Sequence, residues 1–452
     1  MARRGWQTVA TPMMKTADQT VMITLSLLND TLGSAPLQNV AVRLWDGTIW
    51  KPDPGSSDPI RCTLVLKHPG ALRRMFLPPS GRKLGEAYIY DDFDIEGEIE
   101  VIVAPMIEYL FERKWGIMER LRFGKRLLSL PKIGQPRSGN VAAKLRGRLH
   151  SKERDRQAIS YHYDRRNDFF ARWLDSRMIY TCAYFATPDD DLETAQEAKL
   201  DYLCRKLRLQ PGERLLDIGC GWGGLIIYAA QHYGVEAVGV TNSAHQAELA
   251  RERISKAGLA ARCRVDVRDY REVEKLQGYD KLVSVGMPEH VGAALLPTFF
   301  KCAWDALRPQ GVFLNHAIGA HSAEHLPAAD FVRGYSFPDA EPVPIDTVLR
   351  AAEAVGFGVR DVENLKEHYA YTMRHWLHRI EEQADDLKRI AGDPTYRSFR
   401  LVFAVAMHGF AAGPANLYQT LLVKPEKGRS GLPLRRQDWY KSANCAMIRP
   451  DA

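Results

Sequence analysis

The sequence predicts an α/β protein: a doubly wound, mostly parallel sheet preceded by a smaller α+β region. Two observations carry this. From Gln157 onward, short apolar runs alternate with stretches of helical periodicity, the pattern of a parallel sheet covered by helices. One of those runs, Leu215-Leu-Asp-Ile218, passes into a turn containing Gly219, Gly221, Gly223 and Gly224 before a helix opens at Leu225. A second run, Ala237-Val-Gly-Val240, follows that helix and completes a βαβ unit.

The elements follow in order. Val40 to Leu44 reads as a strand, and Asp46-Gly47 after it is a hairpin signal. Arg61 to Leu66 is a second strand and His68 to Phe76 a short helix. Pro131 to Asn140, rich in Pro, Gly and Ser, suits a linker. In the second part the strands are Arg214–Ile218, Ala237–Val240, Arg264–Val267, Lys281–Val285 and Gly311–His316. Ser243 is positioned to cap the helix after the second of these. Phe331 to Pro344, with three prolines, reads as an ordered loop. The expected division is an accessory region 1–135, a basic linker 136–156, a catalytic domain 157–424 and a polar tail 425–452.

Composition bounds the function class. The chain has 452 residues, 45% hydrophobic and 26% charged, which is ordinary for a globular protein of two or three domains. No apolar run approaches the roughly 18 residues that cross a bilayer, and Met1 to Asn29 lacks a secretory signal pattern. Seven cysteines without a CxxC pair argue against a disulfide framework or a metal site and for a reducing cytoplasm. The net charge of +7 is uneven: residues 112–156 hold 14 Lys/Arg against 4 Asp/Glu, so the rest of the chain is net acidic. Ile107 and Phe111 just before this segment, and Met118 and Leu121 within it, recur near helical spacing, beside Trp115 and Phe123. Such a basic amphipathic helix suits an anionic bilayer; a solvated linker helix packed on its own domain is the alternative. No motif beside the charge points to nucleic acid.

The glycine turn brings backbone close to a ligand because no Cβ intervenes. Class I methyltransferases bind S-adenosylmethionine at such a turn, and Thr241 stands where a dinucleotide site would have its acid. Four more segments carry chemistry. Met178 to Phe185 sets Tyr180, Cys182 and Tyr184 close together; Glu289 and His290 lie past one strand end, and His316 lies past the next. Lys366 to Thr372 adds Tyr369. In a parallel sheet the strand C-termini share one edge, so Glu289 and His316 are expected to face the cofactor turn.

Residues 161–422 resemble the cyclopropane fatty acid synthase family, which includes the mycolic acid cyclopropane synthases. The resemblance rests on Tyr161-His-Tyr-Asp164 with Asn167-Asp168, the Tyr180 segment, Leu192-Glu-Thr-Ala-Gln-Glu-Ala-Lys199, Leu215 to Leu225, Val238 to Gln246, Asp269-Tyr270, Val285 to Gly292 and His316 to Gly319. More loosely, His68 to Arg74 and Leu84 to Tyr88 are similar to the N-terminal domain of its longer members, where a sterol-carrier-like fold is implied. The resemblance implies a class I methyltransferase, Rossmann-like fold. It implies methyl transfer from S-adenosylmethionine to a cis double bond of a phospholipid acyl chain, then proton loss to close a cyclopropane ring. It also implies a bicarbonate ion as base, held by Cys182, Glu289, His316, Ile318 and Tyr369. For the cofactor it implies Tyr180 and Thr181 beside the methionine, Gly219 and Gly221 with Asp217 at the turn, Thr241 and Gln246 at the ribose, and Asp269 and Tyr270 at the adenine. Tyr180, Tyr184, Tyr335 and Phe337 are the candidates to face a carbocation. The expected setting is the cytoplasmic face of a membrane, with a homodimer among the family's habits.

Two positions depart from the family: Pro288, where it has Phe, and Arg166, where it often has a small residue. A shifted Glu289 would let the proton leave elsewhere and give a methylene or methyl-branched chain. A non-catalytic lipid-binding protein is the alternative from another class.

Overall fold

The computed structural model describes residues 12–33, 37, 39–55, 57–107, 116–133, 142–163, 167–320 and 329–440. They form two compact units. The first takes Met1–Val141, Pro327–Gly334 and Gly392–His408; the second takes Ala142–Leu326, Tyr335–Ala391 and Gly409–Ala452.

The first unit is built on four strands: β1 (Val40–Arg43), β2 (Ile49–Trp50), β3 (Cys62–Leu66) and β4 (Phe93–Gly97), in the order β2-β1-β3-β4. The Asp46-Gly47 turn makes the expected β1–β2 hairpin, with Asp46 Oδ1 accepting from the Thr48 amide at 3.0 Å. The expected helix is present as Ala71–Phe76, and Leu84 to Tyr88 falls within a helix, Gly81–Ile89. A helix over Pro12–Leu32 was not anticipated. Residues 392–408 join this unit because two nearly buried arginines bind it. Arg397 reaches Asp91 and Asp94 at 3.0 and 3.1 Å, and Arg400 reaches the Tyr88 hydroxyl and the Ile95 carbonyl, both at 2.9 Å.

The second unit holds a seven-stranded sheet. Its strands are β5 (Arg214–Ile218), β6 (Glu236–Thr241), β7 (Cys263–Val267), β8 (Tyr279–Val285), β9 (Leu307–Ala320), β10 (Gly358–Asn364) and β11 (Ala415–Val423). The order is β10-β11-β9-β8-β5-β6-β7. Strands β5 to β9 are parallel, and β11 runs antiparallel to both β9 and β10. The five expected strands are all here. The chain winds outward from β5 in both directions, so the crevice beyond its carboxyl end is the switch point where such sheets bind ligands. Two apolar clusters, one on each face, bury Leu215 and Val283 on one side and Leu216 and Leu282 on the other.

Three expectations change. Strands β10 and β11 were not foreseen. Phe331 to Pro344 is not loop throughout: a helix runs over Ala329–Tyr335 and irregular chain follows it. The polar segment after 424 is docked as far as Tyr440, with Trp439 buried and Asp438 bridged to Arg208 at 2.6 Å. Residues 441–452 of that segment lie outside the described residues, as do 164–166, including Arg166, and the parts 112–115 and 134–141 of the basic segment.

Candidate active site

The glycine turn after β5 is shaped by backbone. Gly219 leaves β5 at φ +91°, and a Cβ there would sit 2.5 Å from Met287 Cγ. Gly221 has φ +53°, and a Cβ there would meet nothing within 4 Å, so its surface opens on free space. The helix Gly224–Tyr233 follows with Gly223 as its left-handed N-cap. Asp217, the next-to-last residue of β5, is almost fully buried, and its Oδ1 has no hydrogen-bond partner. Burial pushes this carboxyl up to about 7, although the nearby Lys199 ammonium pulls it down.

Along the neighbouring strand ends the side chains are hydrogen-bonded to one another. Thr241 Oγ1 donates to Gln246 Oε1 at 2.8 Å, and Ser243 caps its helix at the Gln246 amide as expected. Asp269 accepts from Asn242 at 3.3 Å and from Arg271 Nε at 2.6 Å. Burial raises the Asp269 carboxyl, but its Arg271 contacts outweigh that and hold it below the usual range. Arg271 also reaches Asp155 and the His150 carbonyl, both at 2.9 Å. The Tyr270 ring lies against Phe299 at 5.6 Å, under the Arg271 guanidinium.

The Tyr180 segment lies against the glycine turn, where a Cβ on Gly224 would sit 2.3 Å from Ile179 Cδ1, and the helix Leu192–Leu207 holds it. Gln196 Nε2 donates to the Thr181 carbonyl at 2.8 Å, and Lys199 Nζ donates to Thr181 Oγ1 at 3.0 Å. Lys199 is 2% exposed, and burial brings its ammonium down to about 8 against the pull of Asp175, Cys182 and Asp217. A buried lysine in this position was not among the candidates. Its signal in the sequence is a Lys at helical spacing from Ala195 and Tyr202, on the apolar face.

Glu289, His316, Ile318, Tyr369 and Cys182 bound the other side. Glu289 sits in the helix Pro288–Val291, where Pro288 fills the first helical position that proline favours. Its carboxyl is buried, Oε2 has no partner, and burial pushes it up to about 7 against the backbone N–H groups of Glu289 and Ile318. A Cβ on Gly286 would lie 3.3 Å from Thr181 Cγ2 and 3.6 Å from Glu289 Oε1, so the Glu289 helix and the Tyr180 segment meet there. His316 near the end of β9 is 1% exposed, and burial first, then the Lys199 and Lys206 charges, hold it neutral. Its Nδ1 meets Gln419 Nε2 at 3.2 Å, and its Nε2 has no partner. The Tyr369 hydroxyl is raised by burial and by the facing Cys182, Glu289, Tyr180 and Tyr163. Burial likewise keeps Cys182 a thiol.

A cluster of aromatic rings packs around Tyr180 on this side. Tyr180 stacks on His162 at 5.6 Å and 9°, and lies within 5.1 Å of Trp173 and Trp376 and 6.2 Å of Phe337. Tyr163 stands 6.2 Å from both Tyr180 and Trp222. Of the candidates to face a cation, Tyr180 and Phe337 belong to this wall. Tyr184 is elsewhere, stacked on Tyr202 at 4.5 Å and His368 at 4.7 Å, and Tyr335 is buried. His162, Tyr163 and Trp222 were missed as wall residues because helical spacing alone does not say which ring faces a crevice.

The family model described as mycolic acid cyclopropane synthetase matches residues 150–420, more than half of the chain. The chain belongs to this family. A probable fatty acid methyltransferase of Pseudomonas putida is 36% identical over 405 residues, which is 88% of this chain and 96% of the relative. The cyclopropane-fatty-acyl-phospholipid synthase of Escherichia coli is 36% identical over 60% of this chain and 69% of its own length. Among solved structures, the cyclopropane synthase MmaA2 of Mycobacterium tuberculosis superposes with a TM-score of 0.57 at 31% identity, covering 59% of this chain and 97% of that one. Mycolic acid cyclopropane synthase CmaA1, solved with SAH and CTAB, gives 0.56 at 29% identity over 59% of this chain and 97% of that one. This member of the family is thus a methyltransferase of the cyclopropane-fatty-acyl-phospholipid synthase type with S-adenosylmethionine as methyl donor, on a class I fold with an added α+β region. An enzyme of this kind replaces the non-catalytic alternative.

Proposed function

We propose that the protein methylates a cis double bond in a phospholipid acyl chain and closes it to a cyclopropane. The observation that carries this is the pair of buried, unpartnered polar atoms, Glu289 Oε2 and His316 Nε2, in a crevice walled by aromatic rings. Buried polar atoms without partners are costly, and a site that keeps two of them is built for a polar guest. The residues fit the cofactor as well: Gly221 opens on free space, and the Asp217 Oδ1 lacks a partner. S-adenosylmethionine bound there supplies an electrophilic methyl. Tyr180, Tyr163 and Phe337 then offer ring faces to the positive charge that develops on the chain, attracting it without a nucleophile that would trap it. They also exclude water, which would add to that charge.

The guest we assign to the Glu289–His316 side is bicarbonate, a small base. The Tyr369 hydroxyl and the His316 ring N–H donate to it, and the Ile318 and Cys182 backbone borders it. Glu289, with a pKa near neutrality, is able to present a proton to it rather than a second negative charge. Incubation with S-adenosylmethionine and vesicles of a defined cis-unsaturated phospholipid, followed by proton NMR of the lipid, tests the reading. Upfield ring protons support it, and vinylidene protons or a saturated methyl branch overturn it. The second reading, a methylene or methyl branch, is favoured by Pro288 beside Glu289 and by the names of the fatty acid methyltransferase relatives.

We also assign the bilayer contact to one helix, Ile117–Leu128. Ile117, Met118 and Leu121 are 79%, 70% and 63% exposed, while Phe123 packs on Phe76 and Leu127 is buried. Arg120, Arg122 and Lys125 flank the exposed apolar stripe and form no ion pair among the described residues. Farther along the basic segment, Lys152 and Arg154 are neutralised by Glu272 and Asp339 at 2.9 and 2.6 Å. No helix among the described residues is long and apolar enough to cross a membrane, so the contact would be interfacial, at the cytoplasmic face. Leu121→Glu should abolish co-sedimentation with anionic vesicles, and Lys152→Glu should leave it unchanged. Equal effects of the two would reject this assignment.

A further inference from the structure

Two strands that the sequence conceals, β10 and β11, carry a row of side chains that ends on the active-site histidine. Glu363 on β10 pairs in register with Gln419 on β11, and Gln419 pairs in register with His316 on β9. Lys206, 1% exposed on the helix Leu192–Leu207, reaches into this row. Its Nζ donates to Glu363 Oε2 at 2.5 Å and to Gln419 Oε1 at 2.9 Å, with Asp361 Oδ2 at 3.4 Å. Glu363 in turn accepts from the Tyr202 hydroxyl at 2.9 Å.

The donor and acceptor roles follow by elimination. An ammonium has three donors and no acceptor, so the Gln419 atom facing Lys206 must be the amide oxygen. The amide nitrogen therefore faces His316, and it too can only donate. The His316 Nδ1 at 3.2 Å must accept. A neutral imidazole whose Nδ1 accepts carries its proton on Nε2, and burial with two nearby ammonium groups keeps this ring neutral. The Nε2 atom, buried and without a partner, is thus a free N–H donor on the Glu289 side of the site.

We propose that Gln419, oriented by Lys206, is a positioning residue that locks His316 as the Nε2–H tautomer, so that the site always presents a donor and never a base at that point. This rests on the reading of the Glu289–His316 side as an anion site. The antiparallel strands serve this arrangement: β11 places Gln419 directly opposite His316, and β10 supplies the carboxylates that make a buried Lys206 tolerable.

The test uses the full-length chain with histidine-selective 15N labelling. Long-range proton–nitrogen spectra should show His316 with its proton on Nε2; a proton on Nδ1 in the unaltered protein overturns the proposal. Gln419→Glu keeps the shape but can only accept, so the proton should move to Nδ1. Turnover should then fall about ten- to a hundred-fold, the range found when an outer partner that fixes a histidine is lost at metal centres. Affinity for S-adenosylhomocysteine should stay within about two-fold. Unchanged turnover with a switched tautomer overturns the positioning role. Lys206→Met provides a second route should the glutamate variant fold poorly: the freed amide can flip, and the His316 signals should become a mixture of tautomers. A single unchanged Nε2–H species in Lys206→Met rejects the part given to Lys206. If His316→Ala keeps full turnover while the labelled protein shows the Nε2–H form, the anion-site reading fails and the tautomer assignment stands.

Discussion

The two sides of the crevice are built on opposite plans. On the cofactor side, at the ends of β5, β6 and β7, shape comes from backbone and the polar side chains are mostly hydrogen-bonded to one another: Thr241 to Gln246, and Asp269 to Asn242 and Arg271. On the acceptor side, at the ends of β8 and β9, shape comes from aromatic rings, and Glu289 Oε2 and His316 Nε2 are buried without partners. The side assigned to the cofactor is thus largely settled before any ligand arrives, with Asp217 Oδ1 the exception. The other stores unsatisfied polarity where charge must be handled, which is how preorganised sites obtain their catalytic effect.

The sharpest way to separate the sides is Glu289→Gln. Removing one group that acts on developing charge commonly costs 10²–10³ in rate, and we expect about that loss in turnover with vesicle substrate. Affinity for S-adenosylhomocysteine by calorimetry should hardly change. Parallel losses in both would mean the two sides are one structural unit, and the contrast would fail.

The same variant should make the protein more stable above neutral pH. Burial raises the Glu289 carboxyl from 4.5 to about 7 in the folded state, so the folded chain binds the proton more tightly than the unfolded chain. Stability from this group is fully present below about pH 4.5 and is lost as pH rises through about 7. At pH 8 Glu289→Gln should therefore gain on the order of 3 kcal/mol over the parent, and the gain should shrink to nothing near pH 4. Denaturant unfolding at the two pH values measures it. A destabilised variant at pH 8 would show that the carboxylate is satisfied in the apo protein.

On the cofactor side, Gly219→Ala meets two obstacles at once: φ of +91°, and Met287 Cγ at 2.5 Å from the new methyl. Left-handed backbone alone costs a side chain roughly 1–2 kcal/mol, so as the turn shifts to relieve it S-adenosylhomocysteine affinity should fall about five- to thirty-fold. Unaltered affinity would mean that the turn does not touch the cofactor.

The cofactor side was also the legible one. Its information is local: a strand, a glycine turn, a helix and a cap lie within a few dozen consecutive residues, and each has its own chemistry of sequence. Glu289 and His316 were legible too, because parallel strands bring their ends to one edge. What supports them was not. Gln419 and Lys206 act across strands and helices far apart in the chain, and no spacing rule joins them to His316. Strand β10 hides because it is an edge with charged Asp361 and Glu363 in it, and charged residues are depleted in strands. The helix Ala329–Tyr335 hides because the prolines that suggested loop lie beyond its end, at 338, 342 and 344.

Lys199 tests the seam between the two sides, with the smallest effect. Its ammonium holds Thr181 and lies near enough to Asp217 to lower that carboxyl, which burial has raised to about 7. An ionised Asp217 is what would attract the cofactor's ammonium end, so affinity for S-adenosylhomocysteine should weaken as pH falls below about 7. Lys199→Met removes the charge that favours ionisation. The pH at which affinity is lost should move upward, and for one unit of Asp217 shift the ionised fraction at pH 7 falls from about a half to about a tenth, so affinity there should drop about five-fold. At pH 9 the deficit should largely close. Thr181→Val keeps the lysine charge and discards only the hydrogen bond, so it should not move the pH midpoint. If both variants weaken binding equally at every pH, Lys199 serves only to pin the Tyr180 segment, and Asp217 ionises without its help.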